Sequence, residues 1–566
     1  MACEHKVLVG KSRQLSDISA DDENKDIKWD SLTHNGVYFP EEYVTLPNNV
    51  KLLYDGKRID LDSKDTDNKL NLTQEECAVF FATKLVQDER LAEKQKNRKL
   101  AKNDPGFVKN FFEDWKIVLG KNHIIKDWEK IDFSEIKNYI IKKSEEKKSK
   151  TKEEKQEEKK IKDDIKEIYG YAVVDGYRSA LGAWTVQPPG LYIGHGTHPK
   201  RGRIKGRLRP RDVTINCTEG KAPKCSVRGK PCIWGQIIED KTVTWIAGYK
   251  NPVTNLTTYV YLDRKESKWV CASDKVKFDK AKKLKENINS IRAVYNSDLD
   301  SESSITIQCA VAVYFLDRLA IRPGAEKDEK EESDTVGLTT LKCENIKFLT
   351  DNNIELKFVG KSSIEFQKKF KIDFKVYNIL KELCKSTDGK SEIFKYVSAD
   401  VLNDYLKKIV PDLTAKVFRT WKACSTLQNA LDGLNVDIDN SVSSKKEAFD
   451  RANIQVAEAL NHKALTQNDN KVTKIEEKIK DLEEKMKDTK TDNQKQKIEE
   501  RITKLETDLE AAKGNISLTT SKVNYIDPRI IVSWCKRIEM PIEKIYTKTS
   551  LKKFIWAMQI DSGWKF

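Results

Sequence analysis

The stretch SKVNYIDPR, residues 521–529, sets a tyrosine between a small polar run and Asp-Pro, a pair that commonly opens a helix. Tyr525 has two readings. It packs, as most tyrosines do, or its hydroxyl is a nucleophile. Attack on a phosphodiester without a metal needs that nucleophile, cations around a five-coordinate phosphorus, and a proton donor for the leaving oxygen. Arginines suit the middle role, because their forked donors match phosphate oxygens and keep their charge. A lysine or histidine can move the proton. The chain has no GxxxxGK[ST] run to couple ATP and no compact acidic cluster for magnesium.

A second stretch points to phosphate. PKRGRIKGRLRPR, residues 199–211, holds seven cations and no acid: Lys200, Arg201, Arg203, Lys205, Arg207, Arg209 and Arg211. Seven like charges with no counter-charge repel one another. The run therefore reads as a nucleic-acid surface, against the alternative of a solvated basic loop. The net charge of +15 over 566 residues favours a polyanionic partner too. Charged residues make up 34% of the chain, which suits long polar helices. No apolar run approaches the roughly 20 residues of a membrane span, and the N-terminus shows no secretory signal. The eleven cysteines are scattered. Cys225 and Cys232 lack zinc-ligand spacing, so reduced intracellular thiols are expected.

The elements that must position these residues follow from periodicity. The polar, acid-rich N-terminus reads as disordered. Residues 75–142 read as helices, and the even Lys/Glu mixture of 143–167 as an exposed helix with i,i+4 pairs. DVTINC, TVTWIAGYK and TTYVYLD read as strands. FDKAKKLKENINSIRAVY and IQCAVAVYFLDRLAI read as helices. NIELKFVGK and SSIEFQKKFKI alternate around Gly360-Lys361 as a hairpin, and helices resume from 375 to about 463. Val472, Ile475, Ile479, Leu482 and Met486, then Ile498, Ile502, Leu505, Leu509 and Ala512, repeat at 3–4 spacing. This predicts an antiparallel coiled coil. A helix is expected to begin just after Tyr525, with its positive end near a phosphate.

Five blocks occur in order: LAIRPGAEKDEKEESDTVG (319–337), KFVGKSS (357–363), TAKVFRTW (414–421), ALNHK (459–463) and TSKVNYIDPR (520–529). Together with QPPGLYIGHGTHPKRGRIKGR upstream, they resemble the catalytic blocks of eukaryotic type IB DNA topoisomerases, from about residue 27 to the end. The resemblance implies Tyr525 as nucleophile, forming a 3′-phosphotyrosine. Arg322 and Arg419 would hold the non-bridging oxygens, His462 would donate to one of them, and Lys361 would be the general acid. His195, Lys200, Arg203, Lys327, Thr335, Lys416, Thr520 and Asn524 fall on DNA-contacting positions, and Lys200 and Glu331 on two opposing lips. It also implies no cofactor, double-stranded DNA as partner, no membrane, and a monomer in the nucleus, or in a viral factory or virion if a large DNA virus encodes it.

The fold class implied is α+β, a bilobed clamp whose mainly helical catalytic lobe is of the tyrosine recombinase/type IB class, with a coiled-coil linker. The divisions expected are a tail (1–26), an N-terminal DNA-binding lobe (27–265), a catalytic core (266–465), the linker (466–513) and a C-terminal domain (514–566). The chain departs from the family at Ile193 and His195, where arginines are usual, at Ser362, usually aspartate, and at Ala325, usually asparagine. A tyrosine recombinase-like strand transferase and a non-catalytic DNA clamp are the alternatives.

Overall fold

The computed structural model describes residues 7–11, 27–64, 67–93, 101–227, 230–262, 268–324, 334–385, 389–463, 469–488 and 491–566. Its fold is mixed α and β. Chain contacts divide it into two compact units, one built on residues up to Ala272 and one on Ser273 onward.

In the first unit, helices α1 (Gln74–Ala92), α2 (Pro105–Leu119) and α3 (Ser134–Ser149) pack together. Thr73 caps α1 by accepting from Glu76 N. Asp104 and Pro105 start α2, and Gly120, at φ 82°, ends it. Phe81, Phe107, Phe111, Trp115 and Phe133 fill the space between them. Each fully buried ring stabilises by about 2–3 kcal/mol. The 143–167 region is two helices rather than one. The chain breaks at Lys150, and Thr151 with Glu154 forms a capping box that starts α4 (Lys152–Tyr169). A four-stranded sheet, in the order 236–238, 213–216, 245–250, 257–261, covers a second core around Trp29, Ile215 and Ile246.

Most of the expected N-terminal tail lies outside the described residues. Its part from Val7 to Lys11 is placed: Lys11 N donates to Gly176 O at 2.9 Å, and Lys11 O accepts from Arg178 N at 3.1 Å. Lys11 thereby forms an isolated bridge beside Tyr177.

The second unit is mainly helical. It contains α5 (Lys268–Asp298), α6 (Ser304–Leu319), α7 (Phe374–Lys385), α8 (Ala399–Ile409), α9 (Ala415–Asp432) and α10 (Val442–Ala459). The apolar α6 is buried almost all round, from Cys309 to Leu316, as a helix without a polar face must be. Strands Ile346–Phe348, Asn353–Gly360 and Ile364–Lys371 form an antiparallel sheet. Gly360 pairs with Ile364, leaving Lys361–Ser363 as the turn, with Ser362 and Ser363 at φ 65° and 57°.

Two long helices follow, α11 (Asp469–Asp488) and α12 (Asp492–Lys513). They pack antiparallel, with Lys513 Nζ 2.8 Å from Glu476, and bury Ile475, Leu482 and Ile502. Helices α13 (Leu518–Asn524) and α14 (Pro528–Arg537) then return to the core.

Candidate active site

Arg322 stands three residues beyond α6, after Ala320 turns the chain in the left-handed region at φ 50°. Its backbone is pinned by Leu338 N donating to Arg322 O at 2.8 Å and Thr339 N to Pro323 O at 2.7 Å. The two segments touch through glycines. Gly324 sits at φ 90°, and a Cβ on it would lie 2.9 Å from Gly337 Cα. Only glycine meets both demands.

Arg419 projects from α9 and is 4% exposed. Its Nη1 donates to Ala320 O at 2.6 Å and its Nη2 to Leu460 O at 3.1 Å. The same Nη2 lies 3.2 Å from His462 Nε2. The buried Nε has no protein partner.

His462 is placed by the end of α10. Asn461 takes a left-handed φ of 52°. Its N donates to Glu458 O, and His462 N donates to Ala457 O at 2.8 Å. This is a Schellman end with asparagine in glycine's usual place. Asn461 Nδ2 also donates to Glu365 O on the Lys361 hairpin at 3.1 Å. Arg322, Lys361, Arg419, His462 and Thr520 line one cavity of about 320 Å³.

Tyr525 packs beside that cavity. Its ring lies 5.0 Å from the His462 ring and 5.1 Å from the Arg419 guanidinium carbon. The helix expected just after Tyr525 is present, since α14 starts at Pro528, but a second helix precedes it. Tyr525 is half-buried and terminates α13, with its N donating to Ser521 O at 3.0 Å. Beneath it, the Cys424 thiol donates to Tyr525 O at 3.4 Å and accepts from Asp527 N at 3.3 Å. The positive end of α14 is not open to a ligand. The buried Asp527 carboxylate caps it, accepting from Arg529 N at 2.9 Å, and is itself paired with the Arg529 side chain.

The electrostatics follow from burial among cations. Burial, and then the charges of Arg419 and Arg322, push His462 down to about 3, so its ring is neutral. Burial, then Arg322, brings Arg419 down to about 10, which leaves it charged at neutral pH. Burial alone would raise the Tyr525 phenol. The charges and hydrogen bonds of Arg419 and Arg322 outweigh it, and the net shift is downward. The arrangement stabilises a phenolate and offers donors to an oxyanion.

The other predicted residues are placed as follows. Thr520 Oγ1 is 2.9 Å from Ser517 Oγ. Asn524 is exposed, with Nδ2 donating to Thr520 O at 3.2 Å. Lys416 is exposed one turn before Arg419, and Thr335 is half-buried beside Val336. In the first unit His195 is exposed, and Lys200 Nζ donates to Val253 O at 3.0 Å. Lys327, Glu331 and Ala325 lie outside the described residues.

The premise that the 199–211 cations lack counter-charge is overturned. Arg203 pairs with Asp114 and Glu113, both at 2.8 Å. Arg207 pairs with Glu76 at 2.5 Å and Glu42 at 3.4 Å, Arg209 with Glu42, and Arg201 with Asp104 at 3.4 Å. The Arg203 fork is therefore occupied by carboxylates. Among the described residues, Lys205 and Arg211 make no ion pair.

Sequence reasoning missed Ser521, whose Oγ is 2.7 Å from His462 Nδ1, and Cys424. Ser521 had only its four-residue spacing to Tyr525 as a signal, which places the two on one face only once α13 is known. Cys424 had none.

Comparison with known proteins accounts for nearly the whole chain. Residues 27–262 match the DNA binding fragment of eukaryotic DNA topoisomerase I, 266–500 its catalytic core, and 495–566 the C-terminal topoisomerase domain. The chain is 36% identical to DNA topoisomerase 1 beta of Arabidopsis thaliana over 95% of its own length, and spans 59% of that relative. It is 33% identical to human DNA topoisomerase 1, covering 95% of this chain and 72% of the relative. It is 32% identical to the human protein named DNA topoisomerase I, mitochondrial, covering 94% and 90%. The three matched segments, and relatives covered over most of their length, show that the chain belongs to the eukaryotic DNA topoisomerase I family.

Proposed function

We propose that this chain is a type IB DNA topoisomerase, which relaxes positive and negative supercoils through a transient single-strand break. The observation that carries the reading is the convergence of Arg322, Lys361, Arg419 and His462 on one cavity beside Tyr525. The Tyr525 oxygen attacks a backbone phosphorus, forming the O–P bond of a 3′-phosphotyrosine as the P–O5′ bond breaks. The phenolic proton passes to solvent, and Lys361 delivers a proton to the departing 5′-oxygen. Arg322 and Arg419 neutralise the non-bridging oxygens. Arg419 lines that cavity and, as the family likeness implies, is the second donor to such an anion. Removing one donor of this kind typically costs about 3–4 kcal/mol of transition-state stabilisation.

The phosphotyrosine conserves bond energy, so religation by the 5′-hydroxyl needs no ATP. The family likeness supports a clamp with Lys200 and Glu331 on its lips. It also supports reading the α11–α12 pair as a coiled-coil linker, and the divisions at 27–265, 266–465, 466–513 and 514–566 as domains. Lys416, Thr520, Thr335 and Asn524 are proposed to contact the DNA backbone, with His195 on a DNA-facing loop of the first unit.

The test is relaxation of a plasmid without a recombination site, in EDTA and without ATP. Relaxation of both supercoil signs supports the reading. Abolition by chelator, or dependence on a defined sequence, contradicts it.

A further inference from the structure

Which nitrogen of His462 carries the proton is fixed by its neighbours. Arg419 Nη2 approaches Nε2 at 3.2 Å, and a guanidinium has only donors, so Nε2 accepts. The single proton of the neutral ring is then on Nδ1, which donates to Ser521 Oγ at 2.7 Å. Ser521 and His462 are 0% and 4% exposed, so bulk water does not substitute for either contact. In this tautomer His462 cannot donate to a phosphate oxygen through Nε2. It can do so with the proton on Nε2, and the bare Nδ1 then needs a donor. A serine hydroxyl fills both roles by rotating about its Cβ–Oγ bond, whereas a carbonyl or carboxylate would only accept.

We propose that Ser521 is a positioning residue that lets His462 change tautomer when a phosphate enters. Before binding, its oxygen accepts from Nδ1–H and Nε2 is held by Arg419. On binding, Arg419 Nη2 releases Nε2, which takes a proton from solvent in the cavity that His462 lines, and Nδ1 gives up its own proton when its contact with Ser521 opens. The Ser521 hydroxyl then donates to Nδ1, while Nε2–H faces a non-bridging oxygen. Ring and serine finish with the proton count they began with. Ser521 also sits one turn before the nucleophile, and its carbonyl accepts from Tyr525 N at 3.0 Å. One residue therefore ties the orientation of the donor to that of the attacking phenol. The inference rests on the reading of His462 as a donor to the scissile phosphate.

The experiment uses full-length protein labelled with ¹⁵N-histidine, with His462 assigned by the signal absent from His462→Gln. Spectra are taken free and on duplex DNA in the Tyr525→Phe background. The proton should sit on Nδ1 in the free protein and on Nε2 when DNA is bound. In otherwise wild-type protein, Ser521→Ala should slow single-turnover cleavage about tenfold at saturating DNA, the loss expected for one buried hydrogen bond, with affinity unchanged. Ser521→Thr should restore most of the rate. Ser521→Ala added to His462→Gln should cost less than about twofold more, since both act through one ring. An Nε2 proton already present in the free protein, or full additivity of the two substitutions, overturns the proposal. Failure of the underlying reading is distinct: the wild-type protein would then form no covalent complex with DNA.

Discussion

Replacing Arg419 by glutamine separates bracing from catalysis, because the guanidinium serves both. It donates to the Ala320 and Leu460 carbonyls and so joins the end of α6 to the end of α10. Hydrogen bonds from a charged group contribute about 1.5–3 kcal/mol each, so their loss costs about 3–6 kcal/mol in gross terms. The desolvation that brings Arg419 down to about 10 disappears with it and offsets about 3 kcal/mol of that. The net loss of stability is therefore about 0–3 kcal/mol, a fall in Tm of at most several degrees.

Cleavage should suffer more. Removing a donor aimed at the developing oxyanion lowers the rate by about 10²–10³. Its pH dependence should also move. Arg419 heads the groups that hold the Tyr525 phenol down against burial. Without it the phenol rises, and the cleavage profile shifts toward alkaline pH. Single-turnover cleavage of a short duplex from about pH 6 to about pH 10, with a thermal melt of the same sample, reads both effects. A variant that melts lower but cleaves at the wild-type rate and pH would reduce Arg419 to a brace.

Lys361→Ala should cleave ordinary DNA about 10²–10⁴ times more slowly, and regain most of the rate on a duplex whose scissile 5′-oxygen is replaced by sulfur, which leaves without protonation. Equal defects on both substrates would remove Lys361 from the acid role. His462→Gln should flatten the acid limb of the stability curve. The unfolded histidine binds a proton near 6.5 and the folded one near 3, so wild-type stability falls by about 1.4 kcal/mol per pH unit as pH drops through that window. Denaturant melts at several pH values check this, and parallel curves for the two proteins would contradict it. Arg203→Ala should lower Tm while leaving the salt dependence of DNA binding unchanged, because its partners are Asp114 and Glu113. Arg211→Ala should leave Tm nearly constant and reduce the log K against log salt slope by about one. The reverse pattern would mean that the segment meets DNA through its paired arginines.

Elements with strong local periodicity were legible in the sequence. The apolar run of α6 and the alternation flanking Lys361 appear as a buried helix and a three-residue-turn hairpin. Thr151 and Glu154 carried a readable capping box, and the unbroken Lys/Glu composition on either side masked it. Helix α13 was not readable, because Thr519, Thr520 and Val523 are weak helix formers and its place is fixed by packing on α10, where Asn453 Nδ2 donates to Leu518 O at 3.0 Å. The 199–211 cations misled for a related reason. Their carboxylate partners come from Glu42, Glu76, Asp104, Glu113 and Asp114, remote in sequence and invisible to a count of local charge. The five site residues stood out through ordered motifs, whereas the tautomer of His462 depends on contacts to Arg419 and Ser521 that no spacing encodes.

The most direct test of the central claim is a denaturing gel of wild-type protein and Tyr525→Phe, each incubated with duplex DNA labelled separately at the 3′ and the 5′ side of the nick. The account predicts that wild-type protein attaches covalently to the strand ending in a 3′-phosphate and leaves a free 5′-hydroxyl, while Tyr525→Phe binds the duplex and attaches to neither strand. An adduct on the 5′ end, or one that persists without the Tyr525 hydroxyl, would contradict it.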